Sequence, residues 1–122
     1  MQSILQKYSY SGVTLWKLDN QAAIEALKVS AQKLIETRDD VNRVILFGSL
    51  AAKKAVPGSD ADILIVLEDS NIPLWFERID EFETFFSGIR MPIELFPYTK
   101  SETTSIPFAR TALEEGIVLA ER

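Results

Sequence analysis

The run Leu46-Phe47-Gly48-Ser49, followed ten residues later by Asp60-Ala61-Asp62-Ile63-Leu64, decides how this chain is read. Val44-Ile45-Leu46-Phe47 is an uninterrupted apolar run that stops at a glycine, the pattern of a strand covered on both faces. Gly48 lets the backbone turn sharply and lets a ligand approach it closely. Ser49 is expected to cap a short helix running through Lys54. Its hydroxyl and the first free N–H groups would then face an anion at the positive end of the helix dipole. Asp60 and Asp62 precede a second apolar run, Ile63-Leu64-Ile65-Val66-Leu67. Strand periodicity sends both carboxylates to one face and turns Ala61 and Ile63 toward the core. Two carboxylates side by side repel each other unless a cation lies between them.

A third carboxylate, Glu94, interrupts the apolar run between Ile93 and Leu95. An acidic side chain on an inner strand needs a partner, because a lone buried carboxylate is heavily penalised. A metal shared with Asp60 and Asp62 would meet that need. The chain has no His and no Cys. This excludes Ser-His-Asp and Cys-His catalysis, zinc-thiolate sites and disulfides. Any metal must be held by oxygen, which selects Mg²⁺, Mn²⁺ or Ca²⁺.

Gly-Ser, ten residues, Asp-x-Asp and a later acidic residue in an apolar strand together resemble the nucleotidyltransferase superfamily of the DNA polymerase β type. Phe47-Gly48-Ser49-Leu50-Ala51, Val56-Pro57-Gly58-Ser59-Asp60-Ala61-Asp62-Ile63-Leu64 and Ile93-Glu94-Leu95-Phe96-Pro97-Tyr98-Thr99 resemble its minimal nucleotidyltransferase branch. The resemblance implies an α/β (α+β) domain with a small mixed sheet flanked by helices. It implies transfer of a nucleoside monophosphate, AMP from ATP, with Mg²⁺ or Mn²⁺ and release of pyrophosphate. Asp60, Asp62 and Glu94 would be the catalytic and metal-binding residues, and Gly48, Ser49 and Lys53 the nucleotide-binding ones. Stand-alone members often pair with an all-helical HEPN toxin and silence it by adding AMP to a Tyr. That implies an antitoxin role and a hetero-oligomer, with a homodimer as the alternative. Members commonly carry Arg and Gly soon after the Gly-Ser turn, where this chain has Ala52 and Lys53. The missing guanidinium removes a bidentate phosphate contact, for which Lys53 or Lys54 could substitute as a point charge.

The rest of the chain fits one domain, residues 1–122, with residues 1–18 forming a hairpin around Ser11-Gly12 or a loose arm. Ile24, Leu27, Ala31, Leu34 and Ile35 recur at helical spacing, predicting a helix from Gln21 to Thr37 capped by Asp19 or Asn20. Trp75, Ile79, Phe82, Phe85 and Phe86 predict the core face of another helix that ends near Ser87-Gly88. Ile89–Phe96 reads as a strand at an edge or bulge because of Pro92, Pro107–Glu115 as a short helix, and Ile117–Ala120 as a last strand. Alternating helices and strands suggest a parallel sheet by default, and the motifs revise that to a mixed one. The net charge of −5 is a poor match to sequence-independent nucleic-acid binding. No stretch is apolar enough to span a membrane, and the start lacks a signal peptide, so a cytoplasmic protein is expected. A binding module that neutralises its partner by contact alone is the alternative function, and adenylylation of a small molecule a weaker third.

Overall fold

The computed structural model describes residues 4–122, so the first three residues of the N-terminal hairpin-or-arm reading lie outside the described residues. Strands β1 (Leu5–Tyr10) and β2 (Val13–Leu18) pair antiparallel through Ser11-Gly12. Both turn residues are left-handed, with φ of 47° and 78°, which matches the twist of a two-residue hairpin. The ribbon forms its own two-stranded sheet and exposes Tyr8, Tyr10, Val13, Leu15 and Trp16.

Helix α1 (Asn20–Thr37) follows, capped by the Asp19 side chain, which accepts from the Ala22 N–H at 3.0 Å. Its stripe of Ala23, Ile24, Leu27, Ala31, Leu34 and Ile35 is buried. The main sheet has four strands in the order β5 (Ile93–Thr99), β4 (Ala61–Leu67), β3 (Val41–Phe47) and β6 (Ile117–Glu121). β3 runs antiparallel to both β4 and β6, and β4 runs parallel to β5. Mixing follows from the connections. The segment from β3 to β4 contains a single helical turn, α2 (Gly48–Ala51), so β4 returns alongside its predecessor. The longer segment from β4 to β5 crosses over the sheet and makes that pair parallel.

The two sheet faces carry separate cores. Ala61, Ile63, Ile65 and Leu67 of β4 pack with α1 on one face. Leu64 and Val66 pack with Ile45, Tyr98 and the helix α4 (Pro107–Glu115) on the other.

Four elements differ from the sequence expectation. The crossover is two 3-10 stretches, Trp75–Glu81 and Glu83–Phe86, in place of one α-helix. Spacings of three between Ile79, Phe82 and Phe85 suit three residues per turn. Phe82 and Phe86 do join the α1 core, but Trp75 packs on the opposite face against Phe96 and Tyr98. The third strand starts at Ile93, and it is Pro97 that lies within it. β5 is an edge strand, so no neighbour requires the missing N–H. Thr99 and Glu102 form a capping box that starts a helix with no counterpart in the periodicity, α3 (Lys100–Ser105). Last, α2 stops at Ala51, and Ser49 lies inside the turn; the capping position is Phe47, whose side chain makes no cap bond.

Arg78 ties these parts together. Its side chain is buried, and its guanidinium donates to the carbonyls of Ile72 (2.8 Å) and Pro97 (3.0 Å) and to both oxygens of Glu102 (2.6 and 3.2 Å). The Arg78 hydrogen bond holds the Glu102 carboxyl below its ordinary value. Glu102 also accepts from the Thr99 N–H at 2.8 Å, so one ion pair links the crossover, the edge strand and α3. Arg78→Met should lower unfolding free energy by roughly 3 kcal/mol, because it strands a carboxylate and buried carbonyls. Urea denaturation measures this, and a loss below about 0.5 kcal/mol would mean the clamp is structurally idle.

Candidate active site

The parallel register of β4 and β5 sets Asp62 directly beside Glu94. Both side chains point to the face that carries Leu64, Val66, Phe96 and Tyr98, since alternate residues of a strand share a face. Asp62 is half-buried and Glu94 is exposed at the sheet edge. Asp60 lies one residue before β4 and is exposed. Burial pushes the Asp62 carboxyl up to about 6, helped by its hydrogen bond to Glu94 and by the charges of Glu94 and Asp60. The two side chains therefore meet as an acid pair that needs a proton between them.

Gly48 supplies the roof. Its φ is +79°, a conformation that L side chains rarely adopt. A Cβ at this position would collide with Oδ2 of Asp62 and would lie 3.3 Å from Cγ. The glycine is thus required twice, by the turn and by the carboxylate under it. β3 makes the juxtaposition, because Phe47 is the register partner of Asp62. Ser49 follows on the exposed side of the turn. With four residues, α2 contributes backbone N–H groups more than a macrodipole.

Lys53 sits just beyond α2, exposed and left-handed with φ of 59°. Its N–H bonds the Leu50 carbonyl at 3.1 Å, closing the turn. A glycine would take this conformation without strain, which accounts for the glycine that the resembling proteins carry here. Lys in its place stores about 1 kcal/mol of strain.

The structure thus brings Gly48, Asp62 and Glu94 into contact range, with Asp60 adding its charge and Ser49 and Lys53 on the flanking turn. Among the described residues no three acidic side chains already form a ready-made metal cage. The donor set nonetheless fits a hard divalent cation: oxygen ligands only, and an acid pair whose shared proton a cation would replace. A cleft of about 340 Å³ opens beside Gly48, lined by Phe47, Ala52, Phe108, Thr111 and Glu115. In the sequence its one signal is the spacing of Phe108, Thr111, Ala112 and Glu115, the single stripe of a helix. A larger groove, of about 760 Å³, runs along α1 on the opposite sheet face and touches none of these groups.

The polymerase beta nucleotidyltransferase family profile matches residues 30–122, a span that holds every one of these side chains. The chain belongs to that family. As a nucleotidyltransferase it is a transferase, and its mixed sheet flanked by helices is the family's architecture. It is 24% identical over 87 residues to a candidate protein adenylyltransferase of Methanocaldococcus jannaschii, covering 71% of this chain and 84% of that protein. Its fold superposes on a candidate nucleotidyltransferase from Sulfolobus solfataricus with a TM-score of 0.64, at 18% identity over 84% of each chain. It also superposes on a chain of a toxin–antitoxin crystal structure with AMP-PNP, with a TM-score of 0.59 and 17% identity, covering 78% of this chain and 73% of that one.

Two outcomes follow for this nucleotidyltransferase. A carboxyl that keeps its proton to about 6 when folded, against 3.8 ordinarily, makes ionisation costly to the fold. That cost is absent below the lower value and complete above the higher. In divalent-free buffer Asp62→Asn should therefore raise the melting temperature near pH 8 and change it little near pH 4; equal shifts at both would contradict the paired carboxyls. Lys53→Gly should add about 1 kcal/mol to unfolding free energy in urea by relieving the left-handed backbone. An unchanged value there would mean that the turn holds Lys without strain.

Proposed function

We propose that this domain transfers AMP from ATP to a hydroxyl on a partner protein, with Mg²⁺ or Mn²⁺. The observation that carries the reading is the Asp62–Glu94 pair, packed beneath a glycine whose side-chain space the Asp62 carboxylate fills. Asp60, Asp62 and Glu94 would hold the cation. Once bound, it would offset the charge of the triphosphate and of the departing pyrophosphate. Backbone N–H groups at Gly48 and Ser49, with the Ser49 hydroxyl, grip phosphate oxygens, and Lys53 adds a point charge in place of the guanidinium that Ala52 lacks. The strain at Lys53 is consistent with a residue kept for its charge. The acceptor oxygen bonds to the α-phosphorus as the bond to the bridging oxygen breaks, and pyrophosphate leaves. The hydroxyl proton passes to a carboxylate oxygen of Glu94, which is exposed at the sheet edge. Positioning and charge carry the reaction, with no covalent intermediate on the protein.

A protein acceptor is favoured by the exposed ribbon, where Tyr8, Tyr10, Val13 and Leu15 share one face and form an apolar surface of the kind that partners cover. The toxin–antitoxin relative and the adenylyltransferase relative support the same choice. The partner we propose is a HEPN toxin, met by the whole chain acting as one cytoplasmic domain in a hetero-oligomer. Among the described residues no helix is long and apolar enough to cross a membrane. The second reading, neutralisation by contact alone, is favoured by the same ribbon together with Ala52.

Incubation of purified protein and partner with labelled ATP and Mg²⁺, followed by mass spectrometry of the partner, separates the two. AMP on a partner hydroxyl, with incorporation falling at least about 10³-fold in Asp60→Asn, Asp62→Asn, is the expected result. Undiminished transfer by that variant would sink the site assignment. A tight complex with no transfer by either protein would leave the contact-only module.

A further inference from the structure

The cleft beside Gly48 belongs to the same sheet face as the carboxylates and shares two walls with them. Phe47 is the register partner of Asp62, and Gly48, which lines the cleft, also packs against the Asp62 carboxylate. Its volume of about 340 Å³ is at the small end of the roughly 300–1,000 Å³ typical of small-molecule sites. One wall is aromatic: the rings of Phe47 and Phe108 lie 6.1 Å apart between centroids, and Phe108 is 41% exposed. Ala52 contributes no more than a methyl group, which leaves the floor open.

The polar groups on the rim have a definite sense. Thr111 Oγ1 donates its proton to the Pro107 carbonyl at 3.2 Å, so toward the cleft it offers lone pairs. Glu115, one helical turn on, offers carboxylate oxygens. Both groups accept and neither donates. Such a rim complements an exocyclic amine and repels both carbonyl oxygens of uracil and the oxygens of a phosphate. This rim favours a nucleoside triphosphate oriented with its base toward Phe108 and its phosphates toward the Gly48–Ser49 turn.

We infer that this cleft is the nucleobase subsite of the transferase and that it selects an amino-bearing purine. This rests on the proposed nucleotide site and adds to it the group that distinguishes one triphosphate from another. Phe47 and Phe108 supply the stacking surface, Thr111 and Glu115 receive the amine, and Ala52 provides the space.

Calorimetry with Mg²⁺ and three probes, ATP, UTP and inorganic tripolyphosphate, tests it without relying on turnover. ATP should bind about tenfold more tightly than UTP or tripolyphosphate, the range expected for one stacked base. Glu115→Gln, which puts a donor on the rim, should narrow the ATP-to-UTP ratio. Ala52→Leu, at an exposed position, should bring ATP down to the affinity of tripolyphosphate and leave tripolyphosphate unchanged. Phe108→Ala should do the same by removing the stacking ring. Equal binding of all three probes by the natural protein, or ATP binding indifferent to these substitutions, would overturn the subsite alone, provided tripolyphosphate binding is still lost in Asp60→Asn, Asp62→Asn. Failure of every probe to bind would overturn the nucleotide reading and the subsite with it.

Discussion

Asp62 and Glu94 stand side by side on neighbouring parallel strands, and carboxyl groups in that relation need a proton or a cation between them. Much of the domain can be traced to this constraint. Parallel pairing of β4 with β5 requires a long crossover, and the 3-10 stretches supply it. The half-buried position of Asp62 requires a roof without a side chain, and the left-handed Gly48 supplies that. Burial, with the neighbouring charges of Glu94 and Asp60, raises the proton affinity of Asp62, which makes its ionisation costly to the fold.

The elements around the pair are held by different forces on the two faces of the sheet. Behind β4, a continuous and mainly aliphatic layer, closed by Phe82 and Phe86, packs against α1, excludes water and keeps the strands in register. On the carboxylate face the packing is aromatic, running from Phe47 through Phe96 to Trp75, Tyr98 and Phe108. Aromatic rings can be packed on one side and open on the other, so this face serves as both core and wall of a cleft. The edge strand that carries Glu94 lacks a second neighbour, and Arg78 fixes its far end through Pro97 and Glu102. A buried guanidinium with several acceptors is more directional than apolar packing, and it sets where the crossover lies.

Charge distinguishes the ribbon from the rest of the chain. The ribbon carries Lys7 and Lys17 and no acidic residue between Leu5 and Leu18, on a chain whose net charge is −5. A two-stranded ribbon is marginal on its own, and this one keeps most of its apolar side chains in solvent. It stands apart from the main sheet as a surface, while the main sheet holds the chemistry.

What the sequence determined by itself is whatever depends on local pattern. The apolar runs of β3 and β4, the stripe and cap of α1, Pro107 at the start of α4 and the turn at Gly48 are short-range signals, and each stands where its residues place it. The family was legible too, because Gly48-Ser49, Asp60, Asp62 and Glu94 carry fixed types at fixed spacing. Tertiary structure decided what depends on contacts between distant residues. The aromatic spacing after Pro73 could not reveal that Trp75 turns away from Phe82, because each ring goes to a different face of a sheet built from other segments. Arg78 reads as a surface charge until Glu102 and Pro97 arrive to receive it. Only the β4–β5 register sets Glu94 beside Asp62, and only the packing of α4 against β3 opens a cleft at Gly48, because strand pairing and layer packing join residues tens of positions apart whose side chains carry no local mark of each other.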